Sequence, residues 1–162
     1  MFFICIFAAV FGCGENRGLV TVRGTVSCGG QALPGGGSVS FTPAGGQTLD
    51  KIRRGTAKFG TDGKFAASTW EQGDGLLPGK YTVRIECWEA APSFNGSAGV
   101  SLIDRKFSGP EAMSGIPVLE VVLGQPQKNL VFEVTLADEK TIEAERKSHQ
   151  SIEAKAPKQM GQ

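Results

Sequence analysis

Histidine is nearly absent: the chain carries one, His149. A Ser-His-Asp or Cys-His nucleophile needs a positioned imidazole. His149 sits in a polar tail with nothing to hold it, so catalytic residues are expected to be none. A surplus of either charge is also missing. Lys plus Arg number 17 and Asp plus Glu 16, a formal net charge of +1. Nucleic-acid binders carry a basic surplus, so no nucleic-acid partner is expected, nor a polybasic attachment to membranes. Metal-ligand spacing is lacking too: there is no Cys-x-x-Cys, no His pair and no EF-hand run of alternating Asp. Neither a metal nor a cofactor is expected. Gly75-Leu76-Leu77-Pro78-Gly79-Lys80 has one residue too few between its glycines for a phosphate loop, and Tyr81 stands where Ser or Thr would hold Mg²⁺. The apolar run Phe2 to Phe11 is far shorter than the about 20 residues that cross a bilayer.

What is present is turn chemistry and alternation. The 162 residues suit one domain with short appendages. The 23 glycines and 8 prolines punctuate short apolar runs, which indicates many strands. Leu19 to Cys28 alternates with period two, putting Val20, Val22, Gly24, Val26 and Cys28 on one face. Ser38 to Thr42 follows, with Val39 and Phe41 inward. Gly55 to Gly60 and Lys64 to Trp70 flank Thr61-Asp62-Gly63, a hairpin signal because Gly supplies positive φ and Asp caps locally. Asp62 and Asp74 each stand beside Gly and read as turn residues. Gly79 to Glu89 is the longest strand; Tyr81, Val83, Ile85 and Cys87 point one way. After an insertion over Ala90 to Ser114 come Pro117 to Leu123 and Lys128 to Leu136. Seven strands without a helix before Asp138 predict an all-β sandwich, with Val22, Val26, Phe41, Phe65, Tyr81, Val83, Ile85, Val121 and Phe132 in one core. From Asp138 the chain turns charged. Glu143 and Lys147 at i,i+4 permit a solvated helix, and disorder is equally open. This tail offers little apolar surface for docking, so a chain ending at Asp138 is expected to fold with nearly unchanged stability.

The N-terminus has its own signal. Phe2 to Phe11 has the length of the h-region of a secretory signal peptide and ends in Val10-Phe11-Gly12-Cys13. This resembles the lipobox of bacterial lipoproteins, which implies cleavage after residue 12 and a diacylglycerol on the Cys13 thiol. Residues 13–18 then form a polar tether. Phe11 replaces the usual small residue and no Lys or Arg precedes the run; a start upstream of Met1 would supply that charge. The alternative is a buried strand or helix over Met1 to Gly12 with Cys13 in a core.

The body, residues 19–136, resembles the carboxypeptidase-regulatory-like domain, a transthyretin-like sandwich. The carrying residues are Val22, Gly24 and Val26 (V-x-G-x-V), Leu33-Pro34-Gly35 with Val39 and Phe41, Thr61-Asp62-Gly63-Lys64-Phe65 (T-D-G-x-F), and Leu77-Pro78-Gly79-Lys80-Tyr81-Thr82-Val83-Arg84-Ile85 (L-P-G-x-Y-x-V-x-I). Leu102 to Phe107, Ser114-Gly115-Ile116 and Val118 to Leu123 are similar to the closing stretch of small lipoproteins in this family, with Asp104 where they have proline. The resemblance implies a seven-stranded transthyretin-like sandwich, in relatives that act as structural or binding modules; the charged C-terminal tail (137–162) is read from composition. Gly35, Gly63 and Gly79 are expected at positive φ, and Pro34 and Pro78 at fixed φ. The hydroxyisourate hydrolases among transthyretin-like proteins use several histidines and a C-terminal Tyr-Arg-Gly-Ser, both absent here.

Two residue pairs remain. Cys28 and Cys87 share the inward parity of their strands; outside the cytoplasm they can form a disulfide or stay two buried thiols. Trp70 ends a strand and Trp88 lies on an outward parity. They can stack on a glycan, or cover an edge and pack under the Ala90–Ser114 insertion. The resulting expectation is a lipid-anchored module of the cell envelope, facing periplasm or exterior, that meets an envelope protein or a glycan and has no hydrolase activity.

Overall fold

The computed structural model describes residues 18–44, 53–90, 99–108 and 116–155. The lipobox, Cys13 and nearly all of the tether lie outside these residues. The described residues hold seven strands: β1 (Val22–Ser27), β2 (Gly37–Pro43), β3 (Gly55–Phe59), β4 (Lys64–Ala66), β5 (Gly79–Cys87), β6 (Leu119–Val121) and β7 (Gln127–Glu133). A 3-10 turn spans Arg105–Phe107, and one helix, α1, spans Glu139–Lys155. The strands form a three-stranded sheet, β4-β1-β7, and a four-stranded sheet, β3-β2-β5-β6. All pairings are antiparallel except β1 with β7, which run parallel.

Period-two alternation makes this an all-β sandwich. Side chains of one parity face the opposite sheet. All nine residues expected in the core are buried, and Val39, Leu76 and Ile103 join them at 0% exposure. Phe65 carries the contact between sheets. Its ring stacks on Phe132 at 5.4 Å and lies tilted against Phe41 at 6.2 Å. Phe65 and Phe132 belong to the three-stranded sheet and Phe41 to the other.

The turn motifs have separate physical jobs. Gly63 has φ +68° and closes the turn from β3 to β4, with its N–H donating to the Gly60 carbonyl; the two strands pair in different sheets, so the turn crosses between sheets instead of closing the expected hairpin. Asp62 accepts from the Lys64 N–H at 3.2 Å. In Leu77-Pro78-Gly79-Lys80-Tyr81 the tyrosine hydroxyl donates back to the Leu77 carbonyl at 2.8 Å. The ring is fully buried, and burial pushes the phenol pKa up to about 12. A buried hydroxyl needs such a partner. Gly35 departs from expectation: it is not among the glycines at positive φ. Closeness demands it instead, because a Cβ there would meet the Trp88 carbonyl oxygen at 2.3 Å. Asp74 is a turn residue with its carboxylate bound by the N–H groups of Thr69, Trp70 and Glu71. Burial raises its pKa, but those three bonds outweigh it and hold the carboxyl below the ordinary value. Asp104 holds φ −56°, an angle proline shares. Its N–H donates to Thr135 and its side chain accepts from Lys106, bonds that order the turn without a ring.

One open alternative takes a form here and one expectation changes. Cys28 and Cys87 are both free thiols. Cys87 ends β5 of the four-stranded sheet, buried, with its Sγ 3.4 Å from the Gly35 carbonyl. Cys28 lies just past β1 of the other sheet and is only partly covered. Shared inward parity therefore did not make them a bonded pair. The tail docks rather than standing clear. Asp138 caps α1 by accepting from the Thr141 N–H and hydroxyl, and Ile142 packs against the core.

Candidate functional site

A cleft lies between α1, the end of β5 and the segment 99–108, with a volume of about 760 Å³. That falls within the range of small-molecule sites, about 300–1,000 Å³. Trp88, Ser101, Arg105, Glu145 and His149 line it. Trp88 follows β5, and its N–H donates to the Gly36 carbonyl. The ring is half-buried and packs so closely on Gly99 that a Cβ there would meet its Cδ1 at 2.8 Å. Trp88 thus packs under the insertion.

Glu145 holds the cleft together. Its Oε1 accepts from Arg105 Nε at 2.9 Å and Nη2 at 2.6 Å, and its Oε2 accepts from the Ser101 N–H at 3.0 Å. Arg146, on the next position of α1, makes a bidentate pair with Glu89. Burial pushes the Glu145 carboxyl up. The Arg105 hydrogen bonds, the Ser101 N–H and the charges of Arg105 and His149 outweigh that and hold it below the ordinary glutamate value. A carboxylate depressed in the folded state adds stability above its unfolded pKa and loses it as pH falls through the folded one. Docking of α1 should therefore weaken below about pH 4.3 and be gone below the lowered value. Glu145→Ala should cost about 1–3 kcal/mol, because it leaves the Ser101 N–H and Arg105 without their acceptor. Urea melts measure the loss; a cost below about 0.5 kcal/mol would mean α1 is not held through Glu145. A chain ending at Asp138 should lose at least as much.

His149 is the residue that the sequence placed wrongly. It is half-buried, lines the cleft, and its Nδ1 is buried without a hydrogen-bond partner among the described residues. The signal was the spacing of Ile142, Glu145 and His149 at i, i+3 and i+7, one face of a helix. Only Ile142 is apolar, so the face read as solvated. The tryptophans do not come together. Trp70 is 38% exposed, lies 5.7 Å from the Arg53 guanidinium, and lines a separate hollow beside β3 and β4. A two-ring stacking platform is not formed.

Topology orients the cleft. Because β1 and β7 run parallel, the chain enters β1 at the end where β7 starts. The helix α1 leaves from the end where β7 finishes. The cleft therefore lies at the end of the sandwich away from the entering chain.

No family model and no curated protein matches the chain. A solved structure of a candidate adhesin from Bacteroides ovatus is similar at 14% identity and a TM-score of 0.41, over 73% of this chain. The chain spans 44% of that protein's length.

Proposed function

We propose that this chain is an exported lipoprotein of the cell envelope, anchored by a lipid on Cys13, whose sandwich serves as a non-catalytic structural or protein-interaction module of the carboxypeptidase-regulatory-like, transthyretin-like kind. The observation that carries the non-catalytic part is how the cleft spends its carboxylate, guanidinium and hydroxyl groups, leaving the His149 Nδ1 with none of them to activate. Both Glu145 oxygens and the Arg105 fork are bound to each other or to the Ser101 N–H. The Ser101 hydroxyl donates to the Ile103 carbonyl, and the Thr141 hydroxyl to Asp138. These groups hold α1 on the body. A general base or nucleophile would instead have to reach a substrate.

Two features support the anchored module. Val20 is already buried in the core of the sandwich, seven residues past Cys13, so a lipid there would hold the body close to the bilayer. The α1 cleft lies at the other end of β1 and β7, facing away from that tether and open to a partner. The family resemblance gains support from how its motifs meet: Gly24 of V-x-G-x-V lies opposite Phe65 of T-D-G-x-F.

Radiolabelled palmitate fed to expressing cells should label the chain, and Cys13→Ala should abolish labelling. Labelling that persists in the variant overturns the anchor. Turnover on ester, peptide, phosphate or glycoside panels that one acidic substitution removes, without loss of folding, overturns the non-catalytic reading.

A further inference from the structure

The outer face of the three-stranded sheet concentrates cations that the balanced composition hides. Arg23 on β1, Lys64 on β4 and Lys128 on β7 are all exposed and line one shallow groove of about 470 Å³. None of its lining residues is acidic, and Gly24, Phe65 and Leu130 also line it. Register explains the convergence. Thr25 lies opposite Lys64, so Arg23 and Lys64 project from the same face two residues apart. The β1–β7 register shifts between Val22 and Gly24, and this irregularity sets Lys128 and Asn129 beside Arg23. The acid nearest a groove cation is Asp62, 4.0 Å from the Lys64 ammonium. Glu89, Glu143 and Glu145 are instead engaged in ion pairs around α1.

We propose that the Arg23–Lys64–Lys128 groove docks on the anionic phosphate headgroups of the membrane. Arg23 and Lys128 stand near the starts of β1 and β7, the end at which the chain enters. Ten residues separate Cys13 from Arg23, a reach of at most about 36 Å, so a lipid on Cys13 would bring the groove to the headgroup layer. Three cations in one groove, with Asp62 4.0 Å from Lys64 and Glu133 of the same sheet bound by the Ser27 hydroxyl and Gly29 N–H, match a surface whose potential falls off within about 8 Å at physiological salt. The geometry rests on the Cys13 anchor proposed above. The binding itself does not, so palmitate labelling and vesicle binding can fail separately.

The test uses the mature chain, residues 13–162, with Cys13→Ser so that no lipid contributes. It keeps every core residue from Val20 to Val134. The chain should co-sediment with phosphatidylglycerol–phosphatidylcholine vesicles, not with phosphatidylcholine alone, and should be released as salt rises. Each cation near an anionic bilayer is worth about fivefold in affinity. R23Q/K64Q/K128Q should therefore lose about a hundredfold, while K106Q/K140Q/K147Q, equal in charge change but remote, should keep binding. Absence of binding by the Cys13→Ser chain overturns the proposal, as does equal loss in the two triple variants. Release by inorganic phosphate beyond that by chloride at matched ionic strength would make the groove a free-phosphate site and overturn membrane docking.

Discussion

Phe65→Ala is expected to destabilise the protein by about 3–5 kcal/mol, the cost of emptying a buried phenylalanine site. The ring is 5% exposed and touches both sheets. It stacks on Phe132 with planes 6° apart and meets Phe41 at 44°. Such aromatic pairs add about 0.5–1.5 kcal/mol beyond the area they bury. The cavity would lie between sheets held apart by full strands, so neighbours can relax into it only partly. Urea melts should show a lower midpoint with an unchanged slope. Phe65→Leu, which keeps most of the volume, should cost less than half as much. A Phe65→Ala loss under about 1 kcal/mol would remove Phe65 from the core.

Gly24→Ala should cost about 3 kcal/mol, the upper end for overpacking, although it adds one methyl group to a strand. Gly24 is not among the positive-φ glycines, so alanine fits the backbone angle and the whole penalty is spatial. A Cβ would lie 2.3 Å from the Leu130 carbonyl oxygen and 2.8 Å from both Leu130 Cβ and Phe65 Cζ. The nearest atom is main chain, so no rotamer change relieves it. β1 must move from β7, weakening the parallel ladder that runs from Val22 to Ser27. Combining Gly24→Ala with Phe65→Ala should not rescue stability, because the carbonyl contact remains. Rescue in that double variant would mean the Phe65 ring alone excludes the methyl group.

The sequence by itself determined the strands and their inward faces. Alternation is written residue by residue, and a pleated strand converts it directly into two faces. That is why Val22, Phe41, Phe65 and Ile85 could be assigned to the core, while Asp62-Gly63 marked a turn without showing that β3 and β4 join different sheets. Parity says which face a side chain takes but not which strand lies beside it or where it sits along the core. Hence only the tertiary structure decided that Cys28 and Cys87 are separate free thiols, and that Gly35 is needed for closeness to Trp88 rather than for its angle. The tail shows the same limit. Among the described side chains of its helix, Ile142 is partly buried against the core, and the helix docks through Glu145 and Arg146 on partners 40 and 57 residues away. A docking surface made of ion pairs looks like a solvated one in sequence, because the charges that bind a neighbour are the charges that bind water. For that reason the α1 cleft with His149 and the Arg23–Lys64–Lys128 groove became visible only when the fold had brought their residues together.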